Sequence, residues 1–185
     1  MKTTAKPANR LKILEIALLI GMAVFLASGA MALRTQDDLA DKVVRLHVLA
    51  NSDSEEDQAL KLRVRDVVLE RATELLKQSA DRQEAEHLLR GDLKELERIA
   101  AEEIWARGYA YPVTVELEAA EFPTREYDGF TLPAGEYLAL RVLIGEARGQ
   151  NWWCVVFPPL CLGAASQSVE EAAQAGYFDE GQTAL

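Results

Sequence analysis

The chain is poor in the residues that carry most protein chemistry: 185 residues hold two cysteines and two histidines. A structural zinc site draws closely spaced Cys and His ligands together. Here the cysteines stand as C-x6-C (Cys154, Cys161), while His47 falls in a strand pattern and His87 in a helix pattern, so no metal site is expected. No glycine-rich phosphate loop or paired-glycine fingerprint occurs, so no nucleotide cofactor is expected either. Positive charge is also scarce, with 20 basic residues against 30 acidic ones and a net charge of −10. Such a chain is a poor nucleic-acid binder and is repelled by an anionic membrane surface, which leaves proteins as its natural partners. Acidity on its own also serves solubility.

The basic residues present gather at the start. Lys2, Lys6, Arg10 and Lys12 precede an apolar run from Ile16 to Leu33 broken only by small residues. This is the layout of a signal peptide or signal anchor over residues 1–33, with Ala30-Met31-Ala32 and Ser28-Gly29-Ala30 as small-x-small cleavage motifs. An uncleaved run over 13–33 is long enough to span a bilayer. The basic flank keeps the N-terminus cytoplasmic and sends the chain beyond Leu33 outside. Losing the first 32 residues removes four basic groups and Glu15, leaving 16 basic and 29 acidic residues, a net charge of −13.

Residues 34–41 read as a linker. Lys42 to Ala50 then alternates, with Val44, Leu46 and Val48 on one side and Val43, Arg45, His47 and Leu49 on the other. Ser52 and Glu55 have capping-box spacing, opening a helix that runs to about Gln78 through Leu60, Val64, Val67, Val68, Leu75 and Leu76. Asp81 and Glu84 repeat that spacing before a second helix through Leu88, Leu89, Leu93, Leu96, Ile99 and Ile104. Gly91 is a candidate break in it and Gly108 a candidate stop. Three more strands come next, over 112–122, 137–144 and 152–157, with a long turn-rich connection over 122–135 and a hairpin loop over 145–150. The order β-α-α-β-β-β predicts an α+β domain over residues 42–162, with a mainly antiparallel four-stranded sheet and two helices packed on one face. The first two strands, joined through the helices, are expected to lie parallel. Residues 163–185 form an acidic tail without a convincing core element, and disorder is expected there.

With the helices covering Val44, Leu46 and Val48, the other face carries Arg45, His47, Glu116, Glu118 and Arg141. The assumed register of the last strand adds Trp152 and Cys154, and puts Trp153 in the core beside Val155 and Phe157. Cross-strand Arg–Glu pairs suit a plain solvated face. Trp and Arg are equally the side chains most enriched at binding hot spots, so Arg45, His47, Arg141, Trp152 and Trp153 are the candidate partner-binding residues. Outside the cytoplasm Cys154 and Cys161 fit a disulfide, and two free buried thiols fit the apolar surroundings as well. Cys154, His47 and Asn51 together have the residue types of a thiol hydrolase, but no oxyanion-hole loop surrounds Cys154, and an apolar strand disfavours the thiolate. No catalytic residue is assigned on this basis.

Four segments taken together carry a family likeness: RLHVLANSDSEEDQALKLRVRD (Arg45 to Asp66), the stretch from Phe122 to Tyr127, PAGEY (Pro133 to Tyr137) and NWWCVVFPPLC (Asn151 to Cys161). In these the chain resembles the stage II sporulation protein R family of endospore-forming bacteria, across about residues 42–162. The resemblance implies a signalling protein rather than an enzyme, exported from the forespore into the intermembrane space. There it would activate a membrane-embedded aspartic protease of the mother cell, which processes the precursor of sigma-E. It implies neither cofactor nor metal, and it does not say which residues touch the protease. An extracytoplasmic cell-envelope thiol hydrolase is the alternative expectation.

Overall fold

The computed structural model describes residues 7–127 and 130–160, with side-chain surroundings given for 12–29, 38–127 and 131–160. The chain divides into two compact units, residues 1–38 and 39–185. The first is the greater part of helix α1 (Pro7–Ala40). Within it, none of the 18 residues Lys12–Gly29 is buried. At a rise of about 1.5 Å per residue this stretch extends about 27 Å, close to the hydrocarbon thickness of a bilayer. A signal sequence and a membrane anchor share this character. The helix continues through residues 34–40, where the sequence suggests a linker.

The second unit contains β1 (Val44–Leu49), α2 (Glu55–Leu76), α3 (Arg82–Ala106), β2 (Val113–Phe122), β3 (Arg125–Tyr127), β4 (Phe130–Leu132), β5 (Gly135–Ile144) and β6 (Asn151–Phe157). It is α+β, as the sequence indicates, but the main sheet is mixed, in the order β2-β5-β1-β6. β1 runs parallel to β5, while β2–β5 and β1–β6 are antiparallel. The expected parallel pairing of the first two strands therefore does not occur, because β5 lies between them. The physical reason is burial. Strands covered on both faces take the centre of a sheet, and β5 buries Tyr137, Ala139, Leu140, Val142 and Ile144. β2 alternates Val115 and Leu117 with partly or fully exposed Thr114, Glu116 and Glu118, a pattern suited to an edge. The connection over 122–135, expected to be irregular, contains the β3–β4 hairpin.

Helix boundaries follow from local chemistry. Ser54, not Ser52, caps α2: its Oγ accepts from the Asp57 N–H at 3.2 Å, and Glu55, Glu56 and Asp57 place negative charge in the first turn. The cap of α3 falls where its spacing indicates, with Asp81 accepting from the Glu84 N–H at 2.9 Å. Glu84 in turn accepts from the Ala80 N–H at 2.8 Å. Gly91 does not break α3, which runs on to Ala106. Gly108, at φ 83°, ends it; the Gly108 and Tyr109 N–H groups return to the carbonyls of Trp105 and Ile104.

Both helices pack on the Val44, Leu46 and Val48 face of the sheet. Leu60, Val64 and Val68 of α2 and Leu89, Leu96, Ala100 and Ile104 of α3 meet Val115, Leu117, Leu140, Val142 and Ile144 there. Burying each large aliphatic side chain contributes roughly 1.5–3 kcal/mol. A second, smaller cluster covers part of the opposite face: Leu39, Val43, Phe122, Leu132, Tyr137, Ala139, Val155 and Leu160.

Candidate functional site

The second face is laid out by the strand register. Across the central strands Arg45 pairs with Ala139 and Val155, and His47 pairs with Arg141 and Trp153. On the far side of β5, Glu116 lies opposite Arg141 and Glu118 opposite Ala139. Trp153 and Val155 therefore share the face of Arg45 and His47. This corrects the register assumed from the sequence by one residue, which is enough to exchange the two faces of a strand. Trp152 lies opposite Val48 and Cys154 opposite Leu46, both on the helix side. A bulge between Val44 and Arg45 lets Val156 and Phe157 both join the helix-side core. Phe157 is thus not a neighbour of Trp153 as the simple alternation implies.

Arg45, a candidate contact residue, is wholly covered at 0 % exposure. Its guanidinium carbon lies 4.1 Å from the centre of the Phe122 ring and 5.0 Å from that of Tyr137. Its Nη2 donates to the Tyr127 hydroxyl at 2.9 Å, and the Tyr137 hydroxyl donates to the Pro133 carbonyl at 2.8 Å. Nε and Nη1 have no hydrogen-bond partner among the described residues. Burial lowers the pKa of this guanidinium, opposed by the hydroxyl of Tyr127. A cation desolvated against aromatic rings gains about 2 kcal/mol from their quadrupoles. That gain partly offsets the cost of leaving water.

Beside it, the His47 ring stacks on Trp153, with centroids 5.8 Å apart and planes 28° from parallel, and meets the Phe122 ring edge-on. His47 Nε2 lies 2.7 Å from Asn151 Oδ1. Burial lowers its pKa most, the bond to Asn151 opposes that shift, and the positive charges of Arg141 and Arg45 add to it. The imidazole is consequently neutral at pH 7, with the Nε2 proton donated to the amide oxygen. Arg141 donates to Glu116 at 2.9 Å and also to Glu118. Arg125, at the start of the hairpin, lays its guanidinium carbon 4.1 Å above the Trp153 ring. On the helix side Trp152 remains 38 % exposed and carries Arg65 at 4.4 Å.

A polar clasp fixes where β6 begins. Asp57, buried at the start of α2, accepts from Asn51 Nδ2 at 2.9 Å and Ser52 Oγ at 2.6 Å, and Tyr111 also bonds to it. Burial alone would raise its pKa, but these hydrogen bonds outweigh that and hold it below the ordinary value. Lys61, also buried, donates to Gln58 Oε1 at 2.6 Å and to the Gln150 carbonyl at 2.9 Å. Asn51 Oδ1 accepts the Glu146 N–H, and Asp53 accepts the Gln150 N–H. A Cβ on Gly145 would stand 2.2 Å from Asn51 Oδ1, and one on Gly149 2.2 Å from the Ser52 carbonyl oxygen. The β5–β6 turn is therefore seated directly on the loop after β1.

The hydrolase constellation is not assembled. Cys154 is disulfide-bonded and buried on the helix side, His47 is on the opposite face, and Asn51 belongs to the clasp. The chain's other cysteine, Cys161, lies outside the described residues, as does the tail over 163–185. Among the described residues no group of three or more His, Cys, Asp or Glu side chains could hold a metal ion. Phe122, Arg125, Tyr127 and Tyr137 complete the site without having been singled out from periodicity. Phe122, Arg125 and Tyr127 lie in the turn-rich connection, whose aromatic content was the available signal, while Tyr137 lies in β5.

The fold and the site define a small α+β domain preceded in sequence by an apolar helix, with an aromatic and cationic face in place of an assembled catalytic group among the described residues. The chain belongs to the Stage II sporulation protein R family (spore_II_R), whose sequence profile matches residues 40–167. It is 39 % identical over 147 residues to the Stage II sporulation protein R of Bacillus subtilis (strain 168), an alignment covering 78 % of this chain and 66 % of that protein. The chain thus spans slightly less than two thirds of its relative's length. No solved structure matches it.

Proposed function

We propose that this protein is an exported sporulation signal that activates a membrane-embedded aspartic protease of the mother cell, which then processes the sigma-E precursor. It does so by binding rather than by catalysis. Family membership across residues 40–167 is the observation that carries this reading. Two further features support it. The apolar helix Lys12–Gly29 suits export or anchoring at a membrane. The disulfide at Cys154 leaves that sulfur without a thiolate for the rival envelope-hydrolase chemistry.

An aspartic protease works only when two carboxyl groups share one site. A ligand that binds the assembled form better than the unassembled one shifts the population by its differential affinity. The candidate contacts are His47, Arg141, Trp152 and Trp153, with Arg45 supporting them from beneath. Co-expression of the full chain with the protease and the sigma precursor in a non-sporulating host tests the reading. Precursor cleavage should rise when the chain is exported. Cleavage that stays at the level seen without the chain would sink the proposal. The N-terminal residue of the mature protein decides between a diffusible and a tethered signal.

A further inference from the structure

The arginines of the globular unit divide unequally. Of the eleven from Arg45 onward, eight form ion pairs with carboxylates: Arg65, Arg71, Arg82, Arg90, Arg98, Arg107, Arg141 and Arg148. Among the described residues no ion pair involves Arg45, Arg63 or Arg125. Arg63 is on the exposed side of α2. Arg45 and Arg125 both border the His47–Trp153 stack, Arg45 through Phe122 and Arg125 through Trp153 itself. A chain with net charge −10 thus places around one half-buried tryptophan two cations that no carboxylate among the described residues pairs with.

The geometry of Arg125 indicates what it can take. Its guanidinium carbon lies 4.1 Å from the centre of the Trp153 ring, and among the described residues no carboxylate pairs with it, so its forked N–H donors can receive a carboxylate with two parallel hydrogen bonds. The acidic residues on the sheet beneath, Glu116 and Glu118, are both engaged by Arg141. Glu126 follows Arg125 in β3 and so projects to the other side of that strand. Arg45, removed from water below, adds positive potential that solvent screens weakly. A polyphosphate or an anionic bilayer would have to approach a net acidic chain over a wide area. A single acidic side chain on an extended peptide has to meet only this spot.

We propose that Arg125, Trp153 and His47 form a docking surface for an extended acidic segment of the partner protein. A carboxylate of that segment is held by the Arg125 guanidinium, and the neighbouring chain lies across the Trp153 ring. The identity of the partner rests on the function proposed above, so the test separates the two. The full-length chain, labelled with 15N in dodecyl maltoside micelles, gives one indole N–H signal for each of its three tryptophans. A ten-residue polyglutamate peptide serves as the probe. It should shift the Trp153 signal while leaving those of Trp105 and Trp152 in place, and Arg125→Gln should abolish the shift. No shift, or an equal shift of all three signals, overturns the proposal.

In the co-expression assay, Arg125→Glu should lower precursor cleavage at least tenfold with an unchanged melting temperature, while Arg63→Glu retains it. Activation by wild type that survives Arg125→Glu overturns the docking surface and leaves the function standing. A Trp153 shift with polyglutamate, in a protein that fails to activate, does the reverse. Sedimentation that shows a dimer dissociated by Arg125→Glu would assign the surface to a second copy of this chain and overturn the proposal as well.

Discussion

His47 and Trp153 face each other across β1 and β6, their rings 5.8 Å apart and 28° from parallel. The pairing brings a titratable ring and a large aromatic together on one face, with Arg141 and Arg45 as the charged neighbours that bear on the imidazole. What each residue contributes can be measured separately.

The His47 imidazole has a pKa below its ordinary value, chiefly through burial. The unfolded chain therefore takes up this proton more readily than the folded one. The stabilisation is complete above the ordinary histidine value of about 6.5 and is lost as pH falls below it. Urea unfolding at pH 7.5 and 5.5 should show wild type losing more stability on acidification than His47→Phe. Equal losses would mean that the folded protein protonates this ring freely.

Arg45 gives opposite expectations for two replacements. Arg45→Met fills the same aromatic enclosure without a buried charge and should change stability by no more than about 1 kcal/mol, in either direction. Arg45→Ala leaves a cavity beneath Phe122 and Tyr137 and should cost about 2–5 kcal/mol. The two midpoints in urea settle the matter. Similar large losses from both would show that the guanidinium itself holds the hairpin in place.

Cys154 is disulfide-bonded, so a maleimide probe should leave it unlabelled in the native oxidised protein and label it after reduction. Removing a native disulfide from a small exported domain typically costs about 2–5 kcal/mol, so the melting temperature should fall on reduction. Precursor cleavage should survive Cys154→Ser at a temperature where the variant is folded. Labelling without reductant would show that Cys154 is a free thiol and overturn the disulfide.

Asp57→Asn should destabilise the protein at neutral pH by about 1–3 kcal/mol, since three side-chain donors and the Ser52 N–H lose a charged acceptor inside the clasp. The wild-type carboxylate has a lowered pKa, so its contribution is present above the ordinary Asp value of about 3.9 and is lost as pH falls through the depressed one. The gap between variant and wild type should therefore narrow in acid. A gap independent of pH would assign the cost to packing alone.

Much of this architecture is legible in the amino-acid order. Alternation in 42–50, 112–122 and 137–144, helical spacing from Leu60 to Ile104, and the Asp81–Glu84 cap are local signals that tertiary packing reinforces. Strand order is not, because β1 pairs with β5 through contacts distant in sequence that no local pattern encodes. The β3–β4 hairpin escapes because three-residue strands are too short to display a period. The site is half legible. Its charged members announce themselves, but the aromatic enclosure of Arg45 comes from a stretch whose turn residues mask it, and the faces of Trp152 and Trp153 depend on a parity that composition does not carry.

The bulge opposite Val44 acts as a phase shift in the last strand. Upstream of it, odd and even positions of β6 report to different layers; past it, the count is displaced by one and Val156 and Phe157 point the same way. Val156 is the extra residue, so deleting it would restore strict alternation with Phe157 still opposite Val44, and the strand after it would keep its layers. What the deletion removes is one apolar side chain from the helix-side core, so Val156 adds volume there without setting the frame.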